Sequence, residues 1–96
     1  MGLLKLSFFL TGDAALTSIY SDSYQLLLEL LVSARRNSAL TQTQLADRLG
    51  RPQSFVSKYE RGERRLDVIE LIQVCRAVGA DPHQIVQVLV ERQSQG

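Results

Sequence analysis

Helix start signals and helix stop signals alternate along the second half of the chain. Thr41–Gln44 and Asp67–Glu70 each have the spacing of a capping box, in which two side chains bind free N–H groups of a first helical turn. Gly50 and Gly79 follow these boxes, and glycine readily takes the left-handed conformation that ends a helix. The signals therefore predict two helices, each opened by a box and closed by a glycine.

Three further helices are predicted by the same reasoning. Ser21-Asp22-Ser23 supplies an N-cap for a first helix that runs to about Asn37. Pro52 suits the first turn of a third helix, which stops at Gly62. Asp81–Gln84 places an N-cap, a proline and a glutamine at the start of a fifth helix. Five helices joined by short connections predict a compact all-α domain.

The N-terminal residues have a different pattern. Apolar and other side chains roughly alternate over Leu4–Leu10, which favours a short strand or an extended arm. A signal peptide and a mis-assigned start are the alternative interpretations of this segment. We therefore expect an N-terminal arm over residues 1–20, a helical domain over residues 21–92 and a C-terminal tail over residues 93–96.

Basic residues are concentrated in the middle of the chain. Residues 35–65 contain eight basic and three acidic residues, whereas the rest of the chain contains three basic and seven acidic ones. The central segment therefore carries a formal charge of +5 against −4 elsewhere, although the whole chain carries only +1. Such a distribution is typical of a face that meets a polyanion, and a solvated charged surface is the alternative.

Few side chains are available for catalysis or for metal binding. Cys75 is the only cysteine and His83 the only histidine, which excludes an internal disulfide and a zinc site of several cysteines. We interpret Cys75 as a core residue and His83 as a solvated residue in a first helical turn. The apolar runs are shorter than the ~20 residues of a membrane helix. We therefore expect no enzyme activity, no cofactor, no metal and no membrane contact.

The segment from Gln42 to Arg61 has the pattern of two short helices that cross closely. Ala46 is small at the point where a larger side chain would hold the helices apart, and Gly50 allows the first helix to end abruptly. This is the design of a helix-turn-helix, whose second helix enters the major groove of DNA. The two apolar stripes that would meet are Leu45, Ala46 and Leu49 on one helix and Val56 and Tyr59 on the other.

The outward face of the second of these helices carries the candidate base contacts. With Val56 and Tyr59 pointing inward, offsets of one, four and five residues from Gln53 share the opposite face. Glutamine pairs with adenine, serine donates or accepts, and lysine reaches guanine or a phosphate. The candidates are Gln53, Ser54, Ser57 and Lys58. An ordinary polar helix face is the alternative.

The same segment resembles the Cro/phage-repressor (XRE) family of helix-turn-helix regulators. The resemblance covers about Leu26–Val90 and implies a five-helix fold of the lambda-repressor type that binds double-stranded DNA. It implies base contacts at the four candidates above, a phosphate contact from Gln42, and a structural ion pair between Arg35 and Glu60. The matching residues are Thr41-Gln42, Leu45-Ala46, Leu49-Gly50, Val56, Ser57-Lys58, Glu60-x-Gly62 and Leu71 to Gly79.

Phosphate contacts are expected around both ends of the recognition helix. Free N–H groups at the preceding helix start favour an anion, and arginines surround the turn at Gly62. Phe55 departs from the family pattern, and we interpret it as packing against a neighbouring helix, with contact to a thymine methyl group as the alternative. The phosphate candidates are Gln42, Thr43, Arg51, Arg61, Arg64 and Arg65.

Apolar side chains exceed one face on the first and fifth helices. The surplus predicts either cover by the N-terminal arm or a homodimer through the fifth helix, the arm or both. A dimer would pair recognition helices on half-sites about 34–36 Å apart. We therefore interpret the chain as a sequence-specific transcription regulator, a repressor of bacterial or phage type in the cytoplasm and nucleoid. The alternative is an antitoxin-like module that covers a protein partner and binds its own operator.

Overall fold

Five helices account for nearly all of the described chain. The structure is a computed structural model that describes the backbone of residues 13–95 and the side chains of residues 22–93. The helices in chain order are α1 (Asp13–Asn37), α2 (Gln42–Leu49), α3 (Gln53–Glu60), α4 (Val68–Val78) and α5 (Pro82–Gln95). The predicted all-α, five-helix fold is confirmed over these residues.

The first helix begins earlier than predicted. The Ser21-Asp22-Ser23 signal does not start a helix, because α1 is continuous from Asp13 to Asn37. An N-cap contributes only ~1 kcal/mol, and Ala14–Leu16 are residues with high helix propensity that extend the helix past the signal. The boundary expected after residue 20 therefore lies inside α1, and the strand expected over Leu4–Leu10 lies outside the described residues.

Both predicted capping boxes are present. The Thr41 hydroxyl accepts the Gln44 backbone N–H at 3.1 Å, and the Gln44 side chain accepts the Thr41 N–H at 2.9 Å. The Asp67 carboxylate accepts the Glu70 N–H at 2.7 Å, and the Glu70 carboxylate accepts the Asp67 N–H at 3.0 Å. Because each box uses only side chains within one helical turn, the starts of α2 and α4 are determined locally.

The turn between α2 and α3 depends on the conformation of Gly50. Its φ is +66°, and a Cβ added there would meet no atom within 4 Å, so backbone conformation rather than space favours glycine. The N–H groups of Gly50 and Arg51 donate back to carbonyls of α2, which closes the helix. Pro52 is the N-cap of α3 and not its first helical residue, one position from the prediction; its carbonyl accepts the Phe55 N–H at 3.0 Å.

The core lies where α1 crosses the other helices. α1 packs against α3, α4 and α5, so it is covered on more than one side, which explains its surplus of leucines over Leu26–Val32. α2 packs against α3 and α4. Cys75 is fully buried, as predicted. The fully buried side chains are Leu31, Leu45, Val56, Tyr59, Val74 and Cys75.

A buried ion pair joins the first helix to the third. Arg35 Nε donates to Glu60 Oε2 at 2.7 Å and Arg35 Nη2 donates to Glu60 Oε1 at 3.1 Å, with side chains only 10% and 6% exposed. Arg35 Nη1 also donates to the carbonyl of Leu40 at 2.7 Å. The hydrogen bonds to Glu60 raise the pKa of Arg35, and burial opposes this effect. The predicted structural pair is therefore formed.

Removing one member of the Arg35–Glu60 pair is expected to destabilise the fold more than removing both. Arg35→Met or Glu60→Leu alone leaves a buried charge without its counter-charge, and we expect a loss of about 3 kcal/mol in the free energy of unfolding. The double variant should lose less than the sum of the single variants. Urea denaturation of the four proteins measures this, and strictly additive losses would contradict the prediction.

Candidate nucleic-acid interface

The recognition helix α3 has one polar face and one buried face. Gln53, Ser54 and Lys58 are exposed and Ser57 is half-buried, so the four predicted base contacts share the outer side of the helix. Ser57 Oγ donates to the carbonyl of Ser54 at 3.3 Å. Lys58 forms no salt bridge with any described residue. The side chains of α3 that face inward are Phe55, Val56 and Tyr59.

A chain of hydrogen bonds connects the buried ion pair to the outer face of α3. Gln42 Nε2 donates to Glu60 Oε1 at 2.8 Å, and Gln53 Nε2 donates to Gln42 Oε1 at 2.8 Å. Each primary amide has two N–H groups and an oxygen with two lone pairs. Gln53 therefore keeps its carbonyl oxygen and one N–H for an outside partner, which is the pair of groups that recognises adenine N7 and N6.

The start of α2 presents unpaired backbone N–H groups. The capping box uses the N–H groups of Thr41 and Gln44, and those of Gln42 and Thr43 have no acceptor among the described residues. One N–H of the Gln42 side-chain amide is also left after its bond to Glu60. N–H groups at a helix start favour an anion. The two predicted phosphate contacts Gln42 and Thr43 thus lie together at the start of α2, where Gln42 contacts Gln53 of α3.

Each of the arginines predicted to contact phosphate already has a partner within the molecule. Arg51 and Arg64 both bind the carboxylate of Glu70. Arg61 binds Glu63 at 2.7 Å, where both side chains are more than half exposed. The guanidinium carbon of Arg65 lies 4.3 Å from the centre of the Tyr24 ring. The positive charge counted along the sequence is therefore partly neutralised in the structure.

Phe55 is buried and makes packing contacts. Its exposure is 8%, and its ring meets the Tyr59 ring edge to face with centroids 5.6 Å apart. The guanidinium carbons of Arg51 and Arg64 lie 4.4 and 4.8 Å from the centre of the Phe55 ring. Phe55 therefore packs inside the protein, and the contacts described are with Tyr59 of its own helix and with two arginines of the flanking connections.

The sequence predicts only a capping role for Glu70, whereas its carboxylate also binds two arginines. Its carboxylate receives two hydrogen bonds from Arg64, one from Arg51 and one from the Asp67 N–H. These contacts lower the pKa of Glu70 to about 2, with the hydrogen bonds from Arg64 as the largest cause. No local pattern in the sequence links Arg64 or Arg51 to Glu70, because Arg64 lies in the connection before α4 and Arg51 lies in the turn before α3.

The described residues contain no candidate metal site and no candidate membrane span. Between residues 13 and 95, no group of three or more His, Cys, Asp or Glu side chains is arranged to hold a metal ion. In the same part of the chain, no helix combines the length and hydropathy required to span a membrane. The polar face of α3 and its flanks remain the best supported functional surface.

Acid is expected to destabilise the fold through Glu70. The pKa of Glu70 is about 2 in the folded state and near 4.5 in the unfolded chain, so its contribution to stability is complete above about pH 5 and is lost as the pH falls toward 2. We expect Glu70→Gln to show a smaller fall in the free energy of unfolding over this range, as measured by urea denaturation. Glu29→Gln, which removes an exposed carboxylate on α1, is the matched control. A Glu70→Gln profile parallel to that of the wild type would contradict the assignment.

Comparison with known proteins gives consistent results. A family model described as a helix-turn-helix domain matches residues 26–87. An XRE-family like protein from Pseudomonas syringae pv. tomato str. DC3000 shares 52% sequence identity at a TM-score of 0.78, over 80% of this chain and 94% of that one. The clp gene regulator ClgR from C. glutamicum shares 25% identity at a TM-score of 0.63, over 72% of this chain and 90% of that one. No curated protein sequence matches the chain.

The family match covers more than half of the chain and includes α2, the turn and α3. The solved structure with 52% identity matches four fifths of this chain and most of its own length. The chain therefore belongs to the XRE family of helix-turn-helix DNA-binding regulators.

Proposed function

We propose that the protein is a sequence-specific repressor that binds its operator as a homodimer in the bacterial cytoplasm, acting by binding and not by catalysis. The observation that carries the proposal is that a hydrogen bond to Gln42 orients the side-chain amide of Gln53. Gln42 orients this amide at the outer face of α3, and Glu60 in turn orients Gln42. A side chain whose donor and acceptor are already oriented loses less entropy when it meets a base edge.

In this proposal the outer face of α3 reads the bases. Gln53 pairs with adenine through its free oxygen and its second N–H. The long side chain of Lys58 can reach guanine O6 or N7, or a phosphate. Its ammonium group is available for this contact, because it forms no salt bridge with the described residues. Ser54 and Ser57 lie between Gln53 and Lys58 and have shorter side chains, whose hydroxyl groups donate or accept according to the base.

The residues around α3 contact the DNA backbone in the same proposal. Gln42 and Thr43 bind one phosphate through the start of α2. The candidate arginines lie before and after α3. Arg51, Arg61 and Arg64 each have more N–H donors than their carboxylate partners use, and Arg65 lies over the Tyr24 ring. Phosphate contacts determine the register of the protein on the duplex, whereas base contacts determine sequence preference.

An exposed apolar face on α4 and α5 supports the homodimer. Val86 and Val90 are 45% and 53% exposed, and they line a groove together with Val68, Leu71 and Ile72. A second copy is the occupant we propose, because a two-fold contact would bury the same groove of exposed valines on both copies at once. A two-fold contact through this face would hold two recognition helices near each other for a symmetric operator.

The role of Gln53 in base recognition is tested on a selected DNA site. We expect selection from random-sequence duplexes to yield a two-fold symmetric site, and Gln53→Ala to weaken binding to it by about 1–3 kcal/mol while leaving non-specific binding unchanged. Affinities are measured by fluorescence anisotropy at several salt concentrations. Gln73→Ala, on an exposed position of α4, is the matched control and should bind as the wild type does. An equal loss on random duplexes would remove base recognition from Gln53.

The dimer surface is tested by charge insertion. We expect the double variant Val86→Glu, Val90→Glu to be monomeric in sedimentation velocity experiments and to lose affinity for the symmetric site, because two carboxylates would be buried without partners. Val88→Glu is the matched control, since Val88 is also exposed on α5 but does not line the groove. A dimer that persists in the double variant would place the contact elsewhere.

A further inference from the structure

Four side chains from separate parts of the chain converge beside the recognition helix. Glu70 lies in the first turn of α4, with its side chain only 9% exposed. Arg64 binds it through two parallel hydrogen bonds of 2.9 and 2.8 Å, and Arg51 binds it through one of 3.1 Å. Arg51 precedes α3 and Arg64 follows it. One carboxylate therefore holds the guanidinium groups from both ends of the recognition helix.

The ring of Phe55 restrains the same two arginines from a second direction. Their guanidinium carbons lie 4.4 and 4.8 Å from the centre of the ring, within the range of a cation–π contact. The ring is itself held by its edge-to-face contact with the fully buried Tyr59. Each guanidinium group is therefore held by a carboxylate and by an aromatic ring, which leaves little freedom for its outer edge.

Both arginines keep N–H donors that the cluster does not use. Arg51 uses one N–H group on Glu70, and a guanidinium group has five. Arg64 also donates to the carbonyl of Arg65 at 3.0 Å, so its Nε–H and one Nη2–H remain. The side chains of Arg51 and Arg64 are 39% and 41% exposed. The remaining donors are therefore accessible to an acceptor from solvent.

We propose that Glu70 is a positioning residue of the DNA interface, which orients Arg51 and Arg64 so that their outer N–H groups meet phosphates on both sides of α3. The proposal rests on the proposed function, since it concerns how the same surface engages DNA. Glu70 contacts no DNA in this arrangement. Its effect is to remove side-chain freedom from two long, flexible side chains before DNA arrives, so that less entropy is lost on binding.

The proposal and a purely electrostatic role predict opposite signs. Glu70 is an acid close to a surface that meets phosphates, so charge alone predicts that Glu70→Gln strengthens binding to every duplex. If Glu70 orients the arginines, Glu70→Gln instead weakens binding to the selected site, where register matters, and not to random DNA. Glutamine still serves as the acceptor of the capping box, which limits the effect on α4 itself.

Glu63→Gln provides the matched control. Glu63 lies beside Arg64 in the connection between α3 and α4, and its carboxylate binds Arg61. Both of these side chains are exposed, at 54% and 57%, and neither stacks on a ring in the described structure. The control therefore removes the same negative charge from the Arg61–Glu63 ion pair, which is open to solvent and restrains its arginine only weakly.

The experiment measures affinities of wild type, Glu70→Gln and Glu63→Gln for the selected duplex and for a random duplex. We expect Glu70→Gln to lower the ratio of the two affinities by about tenfold, and Glu63→Gln to leave it unchanged. Equal ratios in the two variants would overturn the proposal while leaving the proposed function intact. A wild type that binds no duplex would overturn both, and this result is recognised without any variant.

A second pair of substitutions covers the case in which Glu70→Gln does not fold, as judged by its circular dichroism and thermal transition. The double variant Arg51→Lys, Arg64→Lys keeps Glu70, its capping box and both positive charges, but it removes the planar forks that match a carboxylate and a ring. We expect the same loss in the ratio of affinities. A ratio equal to that of the wild type would show that charge alone is sufficient, and it would overturn the proposal.

Discussion

The hydrogen bonds to the carboxylate of Glu60 are the interaction on which the positions of α1 and α2 relative to α3 depend. This carboxylate lies at the end of α3 and accepts hydrogen bonds from Arg35 of α1 and Gln42 of α2. With its side chain 6% exposed, it would be costly to bury without these donors. A small shift of α1 or α2 relative to α3 would break at least one of these bonds. The crossing of the helix-turn-helix is thus coupled to a polar contact as well as to apolar packing.

Two acids organise the surface that we propose to face DNA, although their charge opposes binding to a polyanion. Glu60 orients an amide chain that ends at Gln53, and Glu70 gathers two guanidinium groups around Phe55. Each acid faces away from the outer surface and is satisfied by donors from the protein. Their negative charge weakens the attraction to DNA, but their hydrogen bonds hold the amide and guanidinium groups of the proposed interface in position. Counting charges along the chain would have ranked both acids as unfavourable.

The two exposed surfaces of the domain differ in chemistry. The outer side of α3 is polar, whereas the groove between α4 and α5 carries exposed valines. The cluster around Glu70 adjoins both surfaces, because it includes Phe55 of α3 and because α4 begins with the exposed Val68 and Ile69 and then buries Glu70. In the proposed function one surface reads DNA and the other joins a second copy. The first turn of α4 contributes to both.

Sequence by itself determined the features that act within one helical turn. These features depend only on neighbouring residues, so the amino-acid sequence predicts them. They are the capping boxes at Thr41 and Asp67, the left-handed Gly50 and the outward face of α3. The predicted start of α1 at Ser21 is wrong, because helix propensity extends the helix past the local cap signal. Only the tertiary structure decided that Gln42 bridges Glu60 and Gln53, and that Arg51, Arg64 and Phe55 converge near Glu70. Contacts of this kind depend on the angles at which helices cross, and those angles follow from the packing of the whole core.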